Sequence, residues 1–147
     1  MEKHQIGMRL RSLNNLIMRL VESSASREGN DSPTGVNGWI IRYIAEHPEK
    51  DIFQKDLENR FSITRSTASK VLTLMERKGL IVRQSVPQDK RLRKIALTPK
   101  ALEIHEKRKK GAVRFDEALT SGFSDEELNE LNNYLQRMKE NVNKLLR

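Results

Sequence analysis

The sequence predicts a mainly α-helical fold with a small β-hairpin (α+β), and three observations indicate this class. Two short amphipathic helices joined by a tight turn are predicted in the middle of the chain. A basic stretch follows in which apolar and polar residues alternate, as they do in two antiparallel strands. Near each end of the chain, large aliphatic residues recur at spacings of three and four, which is typical of a long amphipathic helix. This order predicts a winged helix-turn-helix flanked by N- and C-terminal helices.

Two helices and a loop are predicted before the helix-turn-helix. Residues 2–26 are predicted to form a long helix whose apolar seam consists of Ile6, Leu10, Leu13, Ile17 and Leu20. Residues 27–35 (REGNDSPTG) have the composition of a loop. A shorter helix is predicted over about 36–47, and the His47-Pro48 pair ends it. The side chains of this helix that should face a core are Trp39, Ile40, Tyr43 and Ile44.

The helix-turn-helix is predicted over residues 54–78, with a first helix at 54–61 and the turn at 62–63. The second helix should begin after Thr64, a favourable N-cap residue, and stop before Gly79, which suits the left-handed position past a helix end. Its apolar face carries Ala68, Val71, Leu72 and Met75. The opposite face could lie in a major groove. We therefore expect DNA contacts from Thr64, Arg65, Ser66, Thr67, Ser69, Lys70, Thr73 and Arg77.

The hairpin is predicted to have strands at 80–85 and 93–97 and a tip at 87–92, with a small third strand at 51–53 beside it. We interpret Arg91 as a probe of the minor groove, because narrow grooves attract arginine. Asp89 could hold a guanidinium by charge-assisted bonds or make a plain Asx-turn. For Arg83 a phosphate contact and an ordinary exposed position both stay open. The expected DNA contacts of the hairpin are Asp89, Lys90, Arg91 and Arg93.

Two further helices complete the chain. Thr98 and Pro99 have the N-cap and first-turn positions of a helix that should continue to about Thr120. A capping box from Ser124 to Glu127 begins the last helix.

The apolar seams of the first and last helices need a surface to pack against. They could pair with each other inside a monomer or interleave with a second copy. We favour a homodimer, because a two-fold dimer doubles the number of base pairs that one recognition helix reads. The predicted dimer contacts are Leu10, Leu13, Ile17, Leu128, Leu131, Leu135, Met138 and Val142. Residues 1–35 and 99–147 would then form a dimerisation region around a DNA-binding domain at 36–98.

Positive charge is concentrated on the predicted winged helix. Residues 55–100 hold 12 of the 28 Lys and Arg but only 4 of the 20 Asp and Glu, which accounts for the whole net charge of +8. Such segregation favours a polyanionic partner, and double-stranded DNA is the one we expect. Two alternatives use the same surface: an architectural protein that binds DNA without choosing sequence, and an adaptor whose basic wing binds an acidic protein.

Several classes of protein are not indicated. The absence of cysteine excludes disulfides and a thiolate nucleophile. His4, His47 and His105 match no metal-ligand spacing, and no phosphate-binding glycine loop is present, so we expect no metal, no cofactor and no enzyme. The acidic residues near the basic surface are better explained by a helix start than by a nuclease site. Without a signal peptide or an apolar span, we expect a cytoplasmic protein with no membrane partner.

The hairpin carries a motif known from one family. Asp89-Lys90-Arg91, followed six residues later by Leu97-Thr98, resembles the D-x-R…L-T signature of MarR-family transcriptional regulators. Residues 62–69 (SITRSTAS) and 74–80 (LMERKGL) also resemble that family's recognition helix. The resemblance implies a homodimeric repressor that binds a pseudo-palindromic operator and leaves it when a small aromatic or anionic effector binds. Trp39 and Tyr43 could line the effector pocket, although core packing is favoured; the ligand-binding residues are otherwise unknown.

Overall fold

The structure is a computed structural model that describes residues 3–26 and 36–147. In these residues a 3-10 turn (Lys3–Gln5) precedes six α-helices and one two-stranded sheet, which confirms the predicted fold class. The elements are α1 (Ile6–Ser26), α2 (Val36–Ala45), α3 (Gln54–Phe61), α4 (Arg65–Arg77), β1 (Ile81–Val86), β2 (Asp89–Leu97), α5 (Pro99–Leu119) and α6 (Asp125–Leu145). The predicted loop at 27–35 lies outside the described residues.

The chain forms two compact units, Met1–Lys107 and Arg108–Arg147. The first contains the helix-turn-helix and the hairpin, and the second contains α6. The predicted division into a dimerisation region and a DNA-binding domain concerns an assembly of two chains and stays a prediction.

The core of the first unit is formed by one face of α4 together with α2, α3, the hairpin and the start of α5. Its buried members are Ile40, Ile41, Ile44, Ile52, Leu57, Leu72, Met75, Leu80, Ile81, Ile95 and Ala101. Burying each large aliphatic side chain contributes about 1.5–3 kcal/mol. Ile41 is only 2% exposed, although the predicted core face included its neighbours Ile40 and Ile44 without it. Because adjacent helix positions point about 100° apart, α2 buries a wider face than the spacing alone indicated.

Backbone capping sets the ends of α3 and α6. The Phe53 N–H donates to the Asp56 carboxylate over 2.8 Å, so this acidic residue near the basic surface has a structural role. In α6 the predicted capping box is confirmed: the Ser124 N–H donates to Glu127 (2.8 Å) and the Glu127 N–H to the Ser124 hydroxyl (3.1 Å). Such reciprocal bonds satisfy amides that otherwise have no partner at a helix start.

The hairpin differs from the prediction at its tip. The turn is only Pro87 and Gln88, because β2 begins at Asp89, whose backbone pairs with Val86. The predicted tip at 87–92 is therefore wrong from Asp89 to Leu92, which belong to β2, and the strand register shifts between Ser85 and Val86. The run Asp-Lys-Arg carries no alternating apolar residue from which an extended strand could have been predicted. The predicted third strand is reduced to a single bridge, in which the Ile95 N–H donates to the Ile52 carbonyl over 2.7 Å.

The apolar seams of α1 and α6 are uncovered in the single chain. Leu10 and Leu13 are 40% and 46% exposed, and Leu131, Leu135 and Val142 are 42%, 36% and 55% exposed. The other predicted dimer contacts are half-buried, namely Ile17, Leu128 and Met138. None of the helices in the described residues has the length and apolar character that a membrane crossing requires.

Candidate nucleic-acid interface

Local hydrogen bonds define both ends of α4. At its start the Thr64 hydroxyl accepts the Thr67 N–H over 3.1 Å and donates to the Thr67 hydroxyl over 3.0 Å. At its end Gly79 takes the left-handed conformation (φ 73°), and the Leu80 N–H donates to the Met75 carbonyl over 2.9 Å. Both predicted ends of the helix are confirmed. Two of the hydroxyls expected to contact DNA, those of Thr64 and Thr67, already stabilise the first turn.

One face of α4 is buried and the other is open, as predicted. Ala68, Leu72 and Met75 are at most 1% exposed. The outer surface of the helix brings together the other residues expected to contact DNA, all exposed: Arg65, Ser66, Ser69, Lys70, Thr73 and Arg77. Long cations interspersed with small hydroxyls suit a groove whose walls are phosphates and whose floor presents base edges.

The cations on this face are not neutralised within the chain. Arg65, Lys70 and Arg77 form no ion pair with any residue that the structure describes. Because their charge is not already used internally, it is available to displace counterions from a polyanion.

The hairpin, called the wing from here on, presents its own cations beside a structured turn. The Arg91 N–H donates to the Asp89 Oδ1 over 2.9 Å, and the Arg91 Nε lies 3.4 Å from the same oxygen. Both interactions considered for Asp89 are therefore present, and the backbone bond is the shorter. Arg91 is 92% exposed, so the ion pair adds little to stability. Lys90 and Arg93 are also exposed and have no ion pair in the described part of the chain.

Thr98 joins the end of α4 to the start of α5. Its hydroxyl donates to the Gly79 carbonyl over 2.6 Å and accepts the Ala101 N–H over 3.3 Å. The Lys100 ammonium donates to the Lys78 carbonyl over 3.0 Å. The sequence indicated Thr98 as a cap, whereas the role of Lys100 was missed. Lys100 lies 22 residues beyond Lys78, so no local pattern indicated this contact, although helix C-termini do attract positive charge.

Arg83 lies on β1 with its guanidinium turned towards α4. Its Nε is 3.1 Å from the Glu76 carboxylate, and its Nη2 donates to the Thr73 hydroxyl over 3.5 Å. Sequence reasoning missed this contact, because nothing in the order of residues indicates which strand side chain meets which turn of the preceding helix.

The structure places Tyr43 against the core. Its ring meets Phe61 edge-on with centroids 6.0 Å apart, and the Arg60 guanidinium lies 5.4 Å from the ring centre. These contacts are those of a packed aromatic residue. No group of three or more His, Asp or Glu side chains in the described residues could hold a metal ion.

The fold and the surface together define a winged helix-turn-helix protein whose second helix and wing carry unpaired cations. A family model described as the MarR family matches residues 33–92. The chain is similar to the crystal structure of the transcription regulator MarR from Oenococcus oeni PSU-1, with 31% identity and a TM-score of 0.83 over 92% of this chain and 98% of that one. The chain belongs to the MarR family of transcriptional regulators.

Two further proteins are similar to this chain. The uncharacterized HTH-type transcriptional regulator YdgJ of Bacillus subtilis (strain 168) is 32% identical over 95 residues, which span 65% of this chain and 58% of YdgJ. The MepR–DNA complex of S. aureus has a TM-score of 0.81 at 21% identity, over 96% of this chain and 99% of that one, and shares the fold. YdgJ and the MarR protein of Oenococcus oeni are named as transcription regulators rather than as enzymes.

Proposed function

We propose that this chain is a homodimeric repressor that binds a pseudo-palindromic operator in double-stranded DNA and is released by a small molecule. The observation that carries the proposal is the set of unpaired cations on the open face of α4, in the same compact unit as the basic wing. The curated relatives come from bacteria, in which the chromosome lies in the cytoplasm, and this supports assigning the chain to the cytoplasm.

In this proposal α4 enters the major groove by its N-terminal half. Arg65, Ser66 and Ser69 would reach base edges, because the first turns of a recognition helix lie deepest in the groove. Lys70 and Arg77 would contact phosphates along the rim, together with Thr73. On the wing, Arg91 would enter the flanking minor groove, and Lys90 and Arg93 would bind its backbone. Each neutralised phosphate releases counterions, which supplies affinity and makes it fall with salt.

The uncovered seams of α1 and α6 support the dimer. Leucines that are 36–46% exposed in a single chain would lose apolar surface against a second copy, and each Å² removed from water contributes about 25 cal/mol. Contiguous apolar surface of this kind commonly marks an interface between proteins. A two-fold dimer also presents two copies of α4 to one face of the duplex. MepR, which shares this fold, has been solved with DNA.

The resemblance supports a small aromatic or anionic effector. Such a ligand acts by preferring a dimer whose two recognition helices no longer match one turn of DNA, and it shifts the population towards that state. Tyr43 has the packed contacts of a core residue, so we do not assign it to the effector pocket.

Selection from a random-duplex library tests the proposal. Duplexes retained by the protein are sequenced, and the affinity for the selected duplex is compared with that for its scrambled version at matched salt. We expect a preference of about a thousandfold or more. Equal affinities would favour an architectural protein. Negligible DNA binding at low salt, with an acidic protein partner retained, would favour an adaptor. Arg137→Ala is the control for net charge, because it removes a cation from α6, outside the proposed DNA surface. This variant should keep the preference for the selected duplex over its scrambled version.

A further inference from the structure

Glu76 is the only acidic residue of α4, and it lies on a helix that should approach phosphates. Its carboxylate is 3.1 Å from the Arg83 Nε, in a pair whose side chains are 49% and 22% exposed respectively. One turn earlier, the Thr73 hydroxyl accepts from the Arg83 Nη2 over 3.5 Å. Residues three apart lie on the same helix face. The guanidinium on β1 therefore spans one turn of α4.

The geometry at Nε is unusual. The Arg83 N–H at this atom is buried and has no hydrogen-bond partner in the described residues, although the Glu76 oxygen is 3.1 Å away. The oxygen is close enough for charge attraction but lies off the N–H direction. A buried donor without a hydrogen bond is costly, and proteins retain such groups mainly where another requirement fixes the side chain. For Arg83, the position that is kept is the one in which the guanidinium contacts both Thr73 and Glu76.

We infer that Arg83 is a positioning residue for DNA recognition, which fixes the wing to the recognition helix and masks the Glu76 charge. The inference rests on the proposed function, in which α4 and the wing bind neighbouring grooves. β1 continues from Arg83 to the turn at Pro87 and Gln88, after which β2 carries Arg91. In the other direction, α4 runs back from Thr73 to its proposed base-reading residues. A clamp at Arg83 therefore sets the distance between the two DNA-contacting elements.

A direct phosphate contact by Arg83 predicts different behaviour. Lysine keeps the charge that a phosphate needs, but it lacks the planar fork that reaches Thr73 and Glu76 together. Arg83→Lys therefore separates the two roles. Arg83→Met removes the charge as well, and adding Glu76→Gln to Arg83→Met removes the carboxylate that would be unmasked.

The test measures the affinity of each variant for the library-selected duplex and its scrambled version over a series of salt concentrations. We expect Arg83→Lys to weaken binding to the selected duplex about tenfold, a typical coupling between contacting residues. Its affinity for the scrambled duplex and its salt dependence should stay those of the unmodified protein. Arg83→Met should lower the affinity for both duplexes. Adding Glu76→Gln to Arg83→Met should restore the affinity for the scrambled duplex but not for the selected one.

Arg42→Lys is a matched control. Arg42 on α2 pairs with Glu46, just past the end of that helix, over 2.8 Å, with side-chain exposures of 24% and 50%, close to those of the Arg83 pair. It lies outside the proposed DNA surface and should leave both affinities unchanged. The inference is overturned if Arg83→Lys binds like the unmodified protein. It is also overturned if Arg83→Met combined with Glu76→Gln, which exposes no carboxylate, still lowers the salt slope by about one per subunit, as loss of a phosphate contact would. If the unmodified protein prefers no duplex, the proposed function itself fails.

Discussion

The Thr98 hydroxyl donates a 2.6 Å hydrogen bond to the carbonyl of Gly79, the residue whose left-handed conformation ends the α4 region. The same hydroxyl caps the Ala101 N–H in the first turn of α5. One side chain thus joins the recognition helix to the helix that follows the wing. The first turn of α5 and the end of α4 are therefore held to each other by hydrogen bonds of the same hydroxyl.

Replacing Thr98 with Val should destabilise the protein by about 1–2 kcal/mol. The substitution keeps the shape of the side chain but removes both the helix cap and the bond to Gly79. Urea unfolding followed by circular dichroism measures the change. Thr98→Ser retains the hydroxyl and should recover most of the loss. If the Val variant is as stable as the unmodified protein, the two hydrogen bonds of the Thr98 hydroxyl contribute nothing to the free energy of unfolding.

Asp89→Asn and Asp89→Ala should differ in DNA affinity. Both remove the negative charge, but only Asn retains a side-chain oxygen that can accept the Arg91 N–H, bonded over 2.9 Å in the structure. We expect Ala to bind the selected duplex more weakly than Asn by about 1 kcal/mol, because the wing would lose the bond that orders it. Fluorescence anisotropy gives both dissociation constants. If the two variants bind equally, the bond from the Arg91 N–H to the side chain at position 89 does not contribute to DNA affinity.

Arg65→Ala should change which sequences the protein prefers. Arg65 follows the N-cap of α4, where a recognition helix reaches base edges, and a lost base contact costs about 1–3 kcal/mol at one position of the site. Repeating the library selection with the variant shows whether one base position becomes permissive. A loss of affinity that is equal for all duplexes would demote Arg65 to a phosphate contact.

Leu131→Asp combined with Leu135→Asp should convert the proposed dimer to a monomer. The two leucines are 42% and 36% exposed in the single chain, and burying unpaired carboxylates against a second copy is strongly unfavourable. Sedimentation equilibrium measures the mass. Asn132→Asp combined with Asn133→Asp adds the same charge at exposed polar positions of α6 and should leave the mass unchanged. An unchanged mass for the leucine variant would refute the α6 interface.

Local patterns predicted the helix-turn-helix well. Thr64 and Gly79 define the ends of α4 because an N-cap hydroxyl and a left-handed glycine act within a few residues of the chain. The apolar spacing of Ala68, Leu72 and Met75 predicted the buried face, since a helix of known period has only one such face. The capping box of α6 is equally local.

Contacts between distant segments could not be predicted in the same way. The Arg83–Glu76 pair depends on how β1 packs against α4, which no spacing encodes. The register shift beyond Ser85 depends on how the two strands pair, and the segment concerned is a run of polar residues without a strand pattern. Pairing of Ile52 with Ile95 involves a single residue, too short for any periodic signal.

Hydroxyl-radical footprinting on the selected duplex tests the central claim most directly. Two recognition helices related by a two-fold axis should protect two patches on one face of the duplex, with centres about 10–10.5 base pairs apart. Protection in the flanking minor grooves should disappear with Arg91→Ala, while the two central patches remain. A single protected patch, or uniform protection along the duplex, would contradict the proposal that two copies of α4 and the wing read one operator.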